Sequence, residues 1–294
     1  MGTKRIITGP RKGSLPLDII SGKAIAAYGL RQLSSAYNGP AISVARSSDF
    51  AQLSIGFVNG VLDTATMLAF VGNGNVGYIY RWFDQSGNNN YIDAVKVAAP
   101  QPNFCHICDL GVVFTVNGKP SANMINGSDG YFGQSTLVSG TLPAYPQTQL
   151  FVSVSGQYPN GANGFRQQSS RLTTTQTGVS LGYGNGANIS SYEMDIDAAS
   201  LVASFPAVTE NVLQFAGGAW DGASYDLYNA NNVISGAHDF TTLTSNGGYC
   251  FGLFIPAAIR GFNNGMSEIY HFNSKLSQSD VVALRNNCNV YFGL

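Results

Sequence analysis

Charge is what this sequence has least of. Asp, Glu, Lys and Arg make up 11 % of its 294 residues, against roughly 25 % in an ordinary soluble domain. With a net charge of −1, the chain as a whole is neither a basic nucleic-acid binder nor an acidic solvating tail. Cysteine is scarce too, with four residues: Cys105, Cys108, Cys250 and Cys288. Cys105-His106-Ile107-Cys108 has zinc-knuckle spacing on one side, but no second pair follows. A structural zinc takes four ligands, so buried reduced thiols are expected, with no metal and no other cofactor. No run of 18 apolar residues is present, which leaves no helical membrane span. Ile6 to Pro10 is too short and too broken for the apolar core of an export signal. The three histidines, His106, His238 and His271, are scattered, and no nucleophile elbow accompanies them. The glycines of Gly72 to Gly77 precede a strand rather than a helix, so a phosphate loop is excluded.

What the chain does have is glycine, 35 residues, with much Asn, Ser and Thr, and 44 % hydrophobic residues of which many are aromatic. That is enough apolar material for a core, so disorder is excluded. Neutral polar surfaces of this kind accompany secreted binding modules and subunits packed into large assemblies. The few charges are unevenly placed. Lys4, Arg5, Arg11, Lys12, Lys23 and Arg31 face Asp18 alone in the first stretch, and the remainder is net acidic. Residues 1–27 are therefore expected to be an extended basic arm, kept from helix by Gly9, Pro10 and Gly13. The arm also carries Ile6, Ile7, Leu15, Leu17, Ile19 and Ile20. It is expected to dock on a neighbouring subunit and to order when that partner is present.

The pivot of the chain is Trp82-Phe83-Asp84-Gln85-Ser86-Gly87-Asn88-Asn89-Asn90. Tyr78 to Phe83 is aromatic and β-branched, which suits a half-buried strand. Asp84, Ser86 and Asn88 then bond their own backbone and Gly87 takes positive φ, which makes a tight polar turn. Before it, Ala27, Leu30, Leu33 and Tyr37 predict a helix over 24–37 closed by Asn38-Gly39-Pro40. Short strands follow at Ala41–Val44 and Ser54–Phe57. Asp63 is an N-cap for a helix over 64–71. Beyond it come short β-prone runs, among them Leu150–Val154, Val179–Tyr183, Val212–Ala216 and Tyr249–Phe254. Turn signals such as Asn160-Gly161, Asn185-Gly186 and Asp221-Gly222 separate them. Ser277, followed by Asp280, Val281 and Leu284, starts one C-terminal helix. The fold class read from this is mainly β: a jelly-roll sandwich over 99–294, with residues 28–98 as a small helical elaboration packed on it.

Ala27-Tyr28-Gly29-Leu30-Arg31-Gln32-Leu33, Tyr37-Asn38-Gly39-Pro40-Ala41-Ile42, Arg46-Ser47-Ser48-Asp49 and Trp82 to Asn88 together resemble the N-terminal part of the arabinofuranosidase B catalytic-domain family. The rest is similar to concanavalin A-like (LamG-type) jelly rolls. Val116-Asn117-Gly118-Lys119-Pro120, Trp220-Asp221-Gly222 with Tyr225 to Tyr228, and Gly265 to Tyr270 carry that likeness. The same combination resembles structural proteins of tailed-bacteriophage particles and bacterial surface proteins.

The hydrolases of that family retain configuration, which requires two carboxyl groups. The resemblance places the nucleophile after a Gly-Tyr-Gly run, here Gly182-Tyr183-Gly184, and so near Asp195-Ile196-Asp197, with Asp197 shorter than the Glu it would replace. The family's acid/base falls in Phe251 to Pro256, which has no carboxylate. Its cysteine pair has no counterpart near Val154 to Tyr158. Lacking an acid for the leaving group, the chain is expected to be no enzyme, with Glu193, Asp195 and Asp197 on a polar surface. The expected function is thus a non-catalytic structural protein of a tailed-bacteriophage virion, a head-decoration or tail-associated subunit. Such a subunit assembles in the host cytoplasm and contacts other virion subunits through residues 1–27 as part of a homo-oligomer. Neither a membrane nor direct nucleic-acid contact is expected. Two alternatives stand beside it. One is a carbohydrate-binding attachment module holding a glycan through Asp84, Gln85, Asn88, Trp220 and Tyr183. The other is an arabinofuranosidase-like hydrolase using Asp197 and Asp195.

Overall fold

A computed structural model of the chain describes residues 15–96, 105–124, 130–134, 145–155, 166–171, 179–184, 191–196, 200–206, 208–209, 211–241, 243, 249–251 and 264–294. After a 3-10 turn at Pro16–Asp18, the chain runs β1 (Ala24–Gly29), β2 (Ile42–Arg46), β3 (Gln52–Ile55), β4 (Phe57–Val58), β5 (Val61–Leu62) and α1 (Thr64–Val71). Then come β6 (Val76–Trp82), β7 (Ile92–Lys96), β8 (Cys105–Asp109), β9 (Val112–Val113), β10 (Thr115–Val116), β11 (Lys119–Pro120) and β12 (Ala122–Met124). The larger strands follow: β13 (Gly130–Gln134), β14 (Gln147–Val154), β15 (Arg166–Arg171), β16 (Val179–Gly184), β17 (Ser191–Ile196) and β18 (Ser200–Phe205). The chain closes with β19 (Leu213–Trp220), β20 (Ser224–Asn229), β21 (Asn232–Ala237), β22 (Tyr249–Phe251), β23 (Gly265–Phe272) and α2 (Gln278–Phe292).

The recorded pairings are antiparallel, and they form two layers. One runs β21–β20–β19–β14–β23–β1. The other runs β18–β17–β16–β15–β22–β13–β7–β6. Strand β6 also pairs with β2 and β8, and β8 with β12, which returns to β23. This is the β-sandwich of jelly-roll type that the turn-rich pattern predicted. The segment before residue 99 is hydrogen-bonded into both layers through β1 and β7.

Every residue of β14, β19 and β23 is buried, because these strands are covered on both faces. Inside the sandwich lie Trp82, Trp220, Phe151, Tyr183, Tyr192 and Met194. The layers meet closely at Gly218: a Cβ there would stand 2.5 Å from Met194 Cε and 3.0 Å from Leu181. Any side chain at 218 therefore displaces core atoms. The outer face of β14–β19–β23 is covered by α2, whose Val281, Leu284, Cys288 and Phe292 pack with Leu150, Val152, Phe215 and Tyr270. That 3-4 spacing is the helical stripe expected of a one-sided helix. Ser277 caps it by accepting from Asp280 N at 3.1 Å, and Gly293 ends it at φ 70°. Asp63 caps α1 in the same way, accepting from Thr66 N at 3.0 Å.

Two sequence expectations need correction. The stretch 24–37 is not helical: Ala24–Gly29 is strand β1, paired with β23. The residues at helical spacing do not share one face: Ala27 and Leu33 pack on the α2 side while Leu30 packs in the sandwich interior, and β1 carries a bulge between Ala24 and Ala26. Nor is 15–27 an arm reaching away from the fold. Leu15 and Pro16 are buried, Leu17 N donates to Leu33 O at 2.9 Å, and the Ser21 hydroxyl donates to Asp280 at 2.8 Å. Residues 1–14 of the expected arm lie outside the described residues.

Candidate functional site

The turn after β6 fastens β1. Asp84 is 4 % exposed and Gln85 1 %, and their polar atoms are taken up by main chain. Asp84 accepts from Ala27 N at 2.8 Å, Ser86 N at 2.8 Å and Asn90 N at 3.0 Å. Gln85 accepts from Leu33 N at 2.8 Å and donates to the carbonyls of Gly29 and Arg31 at 2.9 and 3.1 Å. Asn88 donates to Ala24 O at 2.9 Å, and Asn90 to Ile25 O at 2.7 Å. The turn therefore holds the outer edge of β1 with side chains, where a neighbouring strand would otherwise sit. Replacing Asp84 by Ala strands three N–H groups, two of them in the turn and one in β1. A loss of about 2 kcal/mol is expected, read as a lowered urea midpoint.

Tyr183 and Trp220 lie inside the sandwich at 0 % exposure. Tyr183 packs edge-on against Tyr192 with ring centroids 5.0 Å apart. Neither ring presents a face to a ligand from solvent. His271 is also interior, with its Nε2 3.0 Å from Gln147 Oε1, and burial pushes its pKa down to about 3. It is neutral at ordinary pH. Cys105, Cys108 and Cys288 are buried free thiols, and no cluster of three metal-ligating groups occurs among the described residues. His106 stacks edge-on against Tyr78 at 5.1 Å.

The described residues contain three carboxylates that are buried: Asp84, Glu268 and Glu193. Asp84 is consumed by the turn. Glu268, fully buried, is neutralised by Arg31, with Nε–Oε1 at 2.5 Å, and it also accepts from the Tyr270 hydroxyl at 2.6 Å. Glu193 differs from both. It lies on β17 at 8 % exposure, and the Ser191 hydroxyl donates to its Oε1 at 2.5 Å. The strand's alternation explains the placement: Tyr192 and Met194 enter the core, while Ser191 and Glu193 take the opposite side. Directly across β16 stands Gly182, and across β18 stands Ser204. A glycine beside the carboxylate leaves room for a ligand to approach the strand.

This corrects the expectation that Glu193 belongs to a polar surface. Among the described residues, the contact to this carboxylate is the Ser191 hydroxyl. Asp195 pairs with Ser180 two positions along; its side chain, and the whole of Asp197, lie outside the described residues. So does 252–263, the segment where the family resemblance puts the acid/base. The signal that could have singled out Glu193 is the Gly-Tyr-Gly of β16 facing it in register.

No protein-family model matches the sequence, and no curated protein matches it. Solved structures do. An arabinofuranosidase complexed with arabinofuranosyl-α-1,2-xylobiose is similar over 92 % of this chain, at TM-score 0.67 and 15 % identity. A GH54 α-L-arabinofuranosidase with a cyclic sulfate inhibitor follows at 0.65 and 16 %. Another, soaked with 4-nitrophenyl α-L-arabinofuranoside, gives 0.65 and 18 %. This chain spans 65 % of the length of each. At such identities the likeness establishes a shared fold. It overturns the reading of a non-catalytic bacteriophage virion subunit. The likeness is to glycoside hydrolases and runs over nearly the whole chain, rather than stopping at an N-terminal part joined to a LamG-type module. The expectation of no enzyme falls with it; it rested on a segment without an acid, on the shorter Asp197 and on the missing cysteine pair.

Proposed function

We propose that this chain is a glycoside hydrolase that removes α-L-arabinofuranosyl units, with Glu193 as its nucleophile. The observation that carries the reading is the buried Glu193 carboxylate, oriented by the Ser191 hydroxyl at 2.5 Å and faced by Gly182. The arabinofuranosidase fold likeness supports the substrate class. A carboxylate held away from water and fixed by one hydrogen bond is positioned to attack an anomeric carbon rather than to be solvated.

Retention of configuration requires a second carboxyl group about 5–5.5 Å from the first. The reading assigns that role to Asp195. Asp195 follows Glu193 by two positions on β17. The acid would protonate the leaving oxygen in the first step. It would then take a proton from water as the glycosyl–enzyme ester is hydrolysed.

The test is turnover of 4-nitrophenyl α-L-arabinofuranoside, with the anomer first released identified by proton NMR. Release of nitrophenol with retention of configuration is the expected result. An absence of turnover on this substrate and on arabinose-substituted xylan would refute the proposal. Inversion would remove Glu193 as nucleophile.

A further inference from the structure

The two layers end side by side at β18 and β21, where Cα atoms of the two strands approach within 8 Å. Each is an outermost strand among the described residues: β18 pairs with β17, β21 pairs with β20, and no further pairing is recorded for either. A large apolar side chain is exposed on both, Leu201 at 60 % and Val233 at 37 %. Natural sheets guard such edges with charge, proline or a bulge. A bulge interrupts β18 beside Asp195. Strand β21 has none of these devices. Its six residues, Asn232–Ala237, are uncharged and free of proline, and their register with β20 runs unbroken.

The hairpin shows which main-chain groups are open. Ala230 and Asn231 form a two-residue turn, with Ala230 at φ 49°, so Asn229 and Asn232 close it as a hydrogen-bonded pair. His238 N donates to Ala223 O at 3.0 Å, which fits the same alternation. The N–H and C=O groups of Val233, Ser235 and Ala237 therefore turn away from β20, and no main-chain partner is recorded for them among the described residues. The far end of this layer differs, because β1 is fastened there by Asp84, Gln85, Asn88 and Asn90.

We infer that β21 is a dimerisation strand, and that its partner is β21 of a second copy of this chain. An edge strand can pair antiparallel with itself about a two-fold axis. An axis at Ser235 sets Ser235 opposite Ser235 and Val233 opposite Ala237 of the second copy. Those three residues share a face and carry the outward groups, so the joint makes about six main-chain hydrogen bonds. An uncharged strand meets its own copy without like-charge repulsion and offers no charge to a partner of opposite sign. With β1 fastened, the joined layer has no second open end, so assembly closes at two. The edge is about 20 Å long, which puts the contact at the small end of specific interfaces. The dimer is accordingly weak and forms at micromolar concentrations.

Sedimentation velocity of the full chain from about 5 to 300 µM reads this range. The average mass should rise from one copy toward two and level there. Ser235→Pro removes the central outward N–H and leaves the β20 ladder intact; it should raise the dissociation constant about tenfold. Val233→Lys puts a charge on the exposed edge and should act in the same direction. Its melting temperature at low concentration should match the parent, so it carries the test if the proline variant fails to fold. Glu193→Gln should dimerise like the parent, because β21 is no part of the cleavage centre. A monomer at every concentration would overturn the inference. So would a mass growing past two copies, or association unchanged in both edge variants.

Discussion

Glu193→Gln should lower kcat on 4-nitrophenyl α-L-arabinofuranoside by about 10²–10⁴-fold, with little change in the melting temperature. Glutamine keeps the volume, and its amide oxygen still accepts from Ser191, so the strand and its packing are preserved. What goes is the negative charge that attacks the anomeric carbon. A loss of this size corresponds to about 3–5 kcal/mol of barrier. Glu193→Ala should regain part of the rate in added azide, which fits the space the side chain leaves and replaces the nucleophile. Asp195→Asn should also slow turnover, and more for a poor leaving group than for nitrophenol, because a good leaving group needs less protonation. A Glu193→Gln enzyme within threefold of the parent would show that the carboxylate is structural.

The second large effect concerns stability. Arg31→Met should cost about 3–5 kcal/mol, because it leaves Glu268 charged and without a cation in the interior. Arg31 and Glu268 are 7 % and 0 % exposed. The Arg31 guanidinium also lies over the Tyr291 ring at 4.2 Å. Burial alone would lower the pKa of Arg31, but the facing charge of Glu268 more than offsets this, and the guanidinium is held above its ordinary value. Around the pair, burial raises the Tyr270 hydroxyl and the Cys288 thiol, so both stay protonated and act as donors to Glu268. Adding Glu268→Gln to Arg31→Met should recover a large part of the loss, since the residual group is then neutral. Urea midpoints of the parent, the two single variants and the double variant check this. Additive effects would mean that the two side chains do not act as a pair.

These two clusters also show what the sequence could and could not disclose. The helix caps were legible. Asp63 and Ser277 each precede a run with apolar residues three and four apart, and both accept the expected N–H. The polar turn at Asp84 was legible as a turn, because Asp, Ser, Gly and Asn favour that geometry wherever they cluster. Its partner was not, since Ala24–Arg31 lies more than fifty residues earlier and the contact is made by tertiary structure alone. The same limit explains β1. Ala, Leu and Gln favour helix locally, and burial against β23 and α2 overrides that preference. Arg31 was counted among the charges of a basic arm, although its charge is spent on Glu268, 237 positions away. Glu193 read as surface because Tyr192-Glu193-Met194-Asp195 alternates like any half-exposed strand. Which side of a strand is solvated depends on what covers it, and short-range pattern carries no record of that.

The seal along β1 also bears on how the molecule behaves at high concentration. An open strand edge can recruit a strand from another molecule, and the recruited strand offers a fresh edge in turn. Side chains end that chain reaction, because Asp84, Gln85, Asn88 and Asn90 satisfy the edge without presenting a new ladder. Cleavage or deletion within 84–90 would thus do more than loosen one protein. It would expose a template for growth, and such a product should form thioflavin-positive fibres whose onset depends on concentration.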